Sequence, residues 1–326
     1  MISLKEALVR KNRTSDIAKV MREETAKFLS DYYNLDSSQY ELVEKNNKYI
    51  VNVNTNLNIN PDAPTLVNDF FVFGSVKGNF EISESKYIKN LIGSPHEISD
   101  RIIINDNNSL ESLEGFEVTD CLGIEIIGNP KLKTLKSGPI LVKEDFILRD
   151  NVNLSNIGYD INRVEGNFEI TACSRIKTLK GSPTNIGGNF TITECLALHS
   201  TDTSTKHIYG NLDITSCPTI KSLKGLPTEV DGYVSIDDLS ELVDLGGTLN
   251  NVGNYYTIKW CDKLETLQGL PANIGGGLLL SHLDMLEYLS TYVKKCDSVT
   301  ILDCPRLDQI DVNELGIKCK VNFREF

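Results

Sequence analysis

Phe168-Glu-Ile-Thr-Ala-Cys-Ser-Arg-Ile-Lys-Thr-Leu-Lys-Gly-Ser-Pro-Thr-Asn-Ile-Gly-Gly-Asn189 is one full period of this chain, and Phe190 begins the next. Working outward from it, the same apolar position recurs every 22 residues as Phe80, Ile102, Ile124, Phe146, Phe168, Phe190, Leu212, Val234, Tyr256 and Leu278. A second column two residues on keeps step from Ile82 through Ile170 to Leu280. Apolar-x-apolar is the signature of a short strand with one buried face. Two further columns, Ile88 to Leu286 and Leu91 to Leu289, are interrupted only at Thr201. A single coil therefore exposes four apolar side chains that only neighbouring coils can cover, so the sequence specifies a stacked solenoid. The expected fold is a mainly β, right-handed stack of parallel strands with 22-residue coils, running from residue 78 to 326. At roughly 4.8 Å per rung, ten to twelve coils give a body on the order of 50 Å long.

A longer rhythm is superimposed. Pro95, Pro139, Pro183, Pro227 and Pro271 are 44 residues apart, so the repeating unit is a pair of coils. Gly93, Gly181, Gly225 and Gly269 stand two residues before the proline in odd coils, which predicts a tight turn there. Toward the C-terminus the period shortens to 21 at Val299, Ile301, Cys304, Leu307 and Ile310, and Val321 to Phe323 reads as a closing strand.

Residues 1–77 lack the period and read as an N-terminal α+β cap that shields the open end of the stack. Ser3 and Glu6 have capping-box spacing, and Ile17, Val20, Met21, Phe28, Leu29 and Tyr32 share one helical face, so two helices are expected over residues 3–33. Tyr40–Val43 and Tyr49–Val53 flank Asn46-Asn47, which predicts a hairpin.

Five of the eight cysteines, Cys173, Cys195, Cys217, Cys261 and Cys304, share one column with Ser85, Asn107, Asn129, Asn151, Leu239 and Leu283. A column that alternates Asn, Cys and Leu reads as an inward turn position rather than a disulfide framework. Cys121, Cys296 and Cys319 lie outside it.

The net charge of −12 disfavours nucleic acid and anionic membrane as partners and favours a protein partner with a basic surface. No stretch approaches the roughly 20 apolar residues of a membrane span, and the first residues lack the apolar core of a secretory signal. A cytoplasmic location is the expectation.

The Cys-x-x-Ile-x-x-Leu arrangement of Cys173 to Leu179 and Cys217 to Leu223 resembles the leucine-rich-repeat superfamily and is similar to its BspA-type variant. Leu179-Lys-Gly-Ser-Pro-Thr-Asn-Ile-Gly-Gly-Asn-Phe190 also resembles the leucine-rich-repeat-like proteins of large tailed bacteriophages. That resemblance implies a non-enzymatic binding scaffold in a bacterial host cytoplasm, or a structural component of the virion. It carries over no catalytic residue.

With Phe80 and Ile82 inward, the intervening residues of each strand point outward. Their central column is Glu81, Ile103, Glu125, Ile147, Glu169, Thr191, Asp213, Ser235, Thr257 and Leu279, an acidic stripe with like charges about 10 Å apart. Asp237 extends it, whereas Arg101, Arg149 and Lys259 oppose it. Lys89, Lys133, Lys177 and Lys221 place positive charge beyond the turn. Tyr233 and Tyr255 share an outward column beside Asp237, Thr257 and Lys259 and form the strongest candidate binding patch. Trp260, the only tryptophan, stands where strand becomes turn and is expected to be packed inside.

His96, His199, His207 and His282 are dispersed and match no metal or nucleophile spacing, so neither catalysis nor a cofactor is expected. The alternative is a carbohydrate-binding or carbohydrate-processing solenoid in which Asp213, Asp237 and Asp238 act together.

Overall fold

Every apolar column of the repeat faces one continuous interior. The computed structural model describes residues 14–288, 293–307 and 320–324. It is a parallel β-solenoid of about 12 turns with a helix, Thr14–Tyr33, at the N-terminal end of the described residues. Phe146, Phe168, Phe190 and Leu212 are direct register partners on successive rungs. Their side chains are fully buried, with ring centroids 5.3 Å apart for Phe146–Phe168 and 5.1 Å for Phe168–Phe190. Leu289, at the end of the fourth column, and Ile310 lie outside the described residues.

The apolar-x-apolar segments form a 13-stranded parallel sheet from Leu57–Ile59 to Lys320–Arg324. Its first rung, Leu57–Ile59, pairs with Phe80–Ile82, so stacking begins inside the N-terminal segment. At the other end Lys320–Arg324 closes the sheet as a strand, and Leu278 partners Val299 across the shortened period.

A second parallel sheet runs along another side of the coil and escaped the sequence reading. Its eight strands are two residues each, from Asp120–Cys121 to Asn273–Ile274. Their second residues, Cys121, Val142, Val164, Ile186, Ile208, Val230, Val252 and Ile274, are a further buried column. On a third side, parallel bridges Thr134–Asn156, Thr178–Ser200, Ser222–Asp244 and Thr266–Tyr288 each join an odd coil to the even coil after it. The 44-residue rhythm is thus a pairing of coils. The odd-coil glycines turn the chain with φ of 89°, 95°, 93° and 97° at Gly93, Gly181, Gly225 and Gly269, a conformation that glycine adopts without Cβ strain.

From Phe80–Ser83 to Ser298–Leu302, each strand of the main sheet leads into a left-handed residue. Glu84, Asp106, Asp150, Ala172, Glu194, Ser216, Asp238, Trp260 and His282 occupy this corner with φ of 51–56°. The corner aims the next residue inward, and that residue is the Asn/Cys/Leu column, buried as expected. Asn107, Asn129 and Asn151 form a ladder there: the Asn107 backbone N–H donates to Asn129 Oδ1 (3.1 Å), and Asn129 Nδ2 donates to the Ile104 carbonyl (2.9 Å). Cys173 and Cys195 take the place of the amides higher in the stack. The seven cysteines among the described residues are free and buried. Burial pushes the thiols of Cys121, Cys173 and Cys261 up to about 12, so they stay protonated and unreactive at neutral pH. Cys319 lies outside the described residues.

The cap is a helix on a small sheet. Helix α1 (Thr14–Tyr33) buries Met21, Leu29 and Tyr33, and Tyr33 meets Phe73 edge-on at 5.2 Å. The hairpin forms between Tyr40–Lys45 and Lys48–Val53, and both Asn46 and Asn47 are left-handed, as a tight primed turn requires. Lys48–Val53 then pairs in parallel with Phe71–Val76, which pairs with Glu97–Ile98, tying the cap to the stack. The helix expected before residue 14 lies outside the described residues.

Candidate recognition surface

The outer face of the main sheet presents four parallel columns. Along each rung they sit one residue before the strand, at its second and fourth residues, and at the left-handed corner. Glu81, Glu125, Glu169, Asp213 and Thr257 all stand in the second-residue column, half-buried between neighbours. Ile103 and Ile147 stand there too, also half-buried.

The acidic stripe is interrupted by the protein's own arginines. Arg149 forks onto Glu169, with Nε 2.9 Å from Oε1 and Nη2 2.7 and 2.9 Å from the two oxygens. Arg101 pairs with Glu144 and lies 3.9 Å from Glu125. Glu81 accepts a bond from its neighbour Ser83 Oγ (3.0 Å). The carboxylates that no Lys or Arg approaches within ion-pairing distance among the described residues include Glu81, Asp213, Asp237 and Asp238. Lys259 is the register neighbour of Asp237 but makes no ion pair with it.

The aromatic end of the face grows out of a polar ladder. The side-chain oxygens of Asn167, Asn189 and Asn211 each accept the backbone N–H one rung up, from Asn189, Asn211 and Tyr233. At coils eight and nine the ladder position changes to Tyr233 and Tyr255, whose rings have no inward place and lie on the face. Tyr233 Oη donates to Asp213 Oδ2 at 3.2 Å, so its ring crosses diagonally over one rung. Tyr255 is 57% exposed and Tyr233 38%.

Trp260 is not packed inside; it is 48% exposed. The reason is its place in the left-handed corner column, where side chains project outward. There its indole stacks on His282, one rung above, at a centroid distance of 3.7 Å. A tryptophan at φ 52° is a rare conformation for a bulky residue. Trp260 and Tyr255 bracket a single strand, five residues or roughly 16 Å apart. Between them run Thr257 and Lys259, with Ser235 and Leu279 on the adjoining rungs. The sequence marked the tyrosines but missed the tryptophan wall; the repeat of acids and small polar residues at its column was the available signal.

Asp213 is held as a charge at some expense. Half-burial raises its carboxyl above the usual range, opposed by the Tyr233 hydroxyl, which lowers it. A carboxyl whose folded pKa exceeds its unfolded pKa is relatively stabilising while protonated and loses that advantage as pH rises through the folded pKa. Asp213→Asn is therefore expected to leave folding stability at neutral pH unchanged or raise it by a few tenths of a kcal/mol, after discounting for solvent screening. The difference should shrink as pH falls through the aspartate range, which urea denaturation at several pH values will measure. A clear loss of stability at neutral pH would contradict this assignment.

Asp238 accepts from Ser216 Oγ at 2.9 Å, and Asp213 accepts from Tyr233 Oη at 3.2 Å. Among the described residues there is no group of three or more His, Cys, Asp or Glu able to hold a metal ion. No helix among them is long and apolar enough to cross a membrane. Neither a protein family, a curated protein nor a solved structure matches this chain.

Proposed function

We propose that this protein is a non-enzymatic recognition scaffold that docks a protein partner on the outer face of its main sheet, centred on coils seven to nine. The observation that carries this reading is the clustering of Tyr233, Tyr255 and Trp260 on a rigid sheet face beside carboxylates without cations. Exposed tyrosine and tryptophan are favoured anchors of protein interfaces. The rigid floor supports the reading further, because register fixes every backbone position and little ordering entropy is lost on docking. Unpaired negative charge at Asp213, Asp237 and Asp238 favours a partner with a basic surface. The resemblance to leucine-rich-repeat-like proteins of tailed bacteriophages is compatible with a phage-encoded binder acting in a host cytoplasm or in the virion.

Site-specific photocrosslinking tests it. A benzophenone amino acid at Thr257 is expected to capture one defined protein from the native cell, whereas the same probe at Lys133, beyond the turn, captures none. Equal capture from both positions, or none from Thr257, would refute docking on this face.

A further inference from the structure

The face already contains a worked example of the contact it offers a partner. Arg149, fourth residue of its strand, reaches one rung up and two residues back to fork Glu169. Arg101, just before its strand, reaches one rung up toward Glu125. The positions that would supply the same arginines to Asp213 are Thr193 and Asn189. Thr193 has no charge, and Asn189 is engaged in the polar ladder. Asp213 thus occupies the same column as Glu169 without its cation. Beside it, in place of a second acid, the Tyr233 ring lies across the rung with its hydroxyl on the carboxylate.

We propose that Asp213 and Tyr233 form a receptor for an arginine side chain of the docked partner, the guanidinium forked on the carboxylate and stacked on the tyrosine ring. This rests on the docking reading above and names the chemistry at its centre. A guanidinium suits the site better than an ammonium. Its planar fork matches a carboxylate in two hydrogen bonds, its weakly hydrated face stacks on an aromatic ring, and a partly desolvated acid strengthens both. Tyr255 and Trp260 extend the aromatic surface along the next coil, and Asp237 and Asp238 supply charge for flanking basic residues.

The probes are three short peptides of identical length bearing arginine, lysine or citrulline at the same positions, titrated into the intact protein. Backbone amide shifts at Asp213 and Tyr233 locate binding, and Trp260 fluorescence reports it independently because the chain has one tryptophan. The arginine peptide is expected to bind about tenfold more tightly than the lysine peptide. Citrulline, which keeps the shape but not the charge, should not bind, a comparison that needs no change to the protein. Asp213→Asn should reduce the arginine preference to near unity, and Tyr233→Ala should weaken arginine more than lysine. Equal affinities for arginine and lysine, or shifts centred elsewhere, would overturn the proposal. So would shifts at Tyr233 and Tyr255 produced by a neutral oligosaccharide but not by arginine. If the arginine peptide fails while the Thr257 crosslink persists, docking stands and the arginine receptor alone is lost.

Discussion

Asn129→Val is expected to destabilise the stack by on the order of 4 kcal/mol. The substitution removes both ends of an amide in the middle of the buried ladder. The Asn107 backbone N–H loses its acceptor, and the Ile104 carbonyl loses the Asn129 Nδ2 donor. The bond between Asn107 Nδ2 and Asn129 Oδ1, 3.0 Å, goes too. Each polar group left unpaired inside the coil costs about 1–3 kcal/mol, and no water reaches this fully buried position. Because each coil contacts only its neighbours, the loss should be concentrated in coils two to four. Hydrogen exchange resolved by coil should show faster opening there than in coils seven to nine. Asn129→Cys should lose less than valine, because Cys173 and Cys195 occupy the equivalent place and direct their thiols at the matching carbonyls. A valine variant within about 1 kcal/mol of the parent in urea would mean that the ladder does not hold the corner.

Phe168→Ala is expected to cost about 3–5 kcal/mol, the range for truncating a fully buried phenylalanine. The ring is sandwiched between Phe146 and Phe190, so truncation leaves a cavity that the rungs above and below cannot close without losing register. The aromatic contacts themselves add to the loss. The readout is the urea midpoint, together with exchange at coils four to six. Phe168→Leu should recover most of the stability, since Leu212 serves in the same column. Indifference of the fold to alanine would contradict a continuous apolar interior.

These two substitutions act on different determinants, and the sequence revealed both. An inward column every 22 residues needs only the two-residue alternation of a strand and the identity of neighbouring coils, each of which is local information. The hairpin at Asn46-Asn47, the glycine turns before the prolines and the buried cysteine column were legible for the same reason: one residue type meets one backbone demand. The second sheet was also present as a run of Val and Ile from Val142 to Ile274. It went unread because each of its strands has one inward residue, too few to show alternation.

The candidate surface was only half legible. The columns of Glu81, Glu125, Glu169, Asp213, Tyr233, Asp237, Tyr255, Thr257 and Lys259 follow from alternation alone, and the structure places them on the expected outer face. Which charges on that face remain without a cation does not follow, because a long side chain ends on a neighbouring rung, beyond the reach of any rule about spacing along the chain. Arg149 forks Glu169 and Arg101 reaches Glu125 and Glu144 across rungs, whereas Tyr233 crosses to Asp213. Trp260 is exposed because the left-handed corner throws its side chain outward, a backbone property shared by residues as different as Glu84, Ala172 and His282. By itself, then, the amino-acid order determined the spiral and the composition of its walls, since both repeat with the backbone. Only the tertiary structure decided which groups on those walls are paired and which are open, since that depends on where side chains from different turns meet.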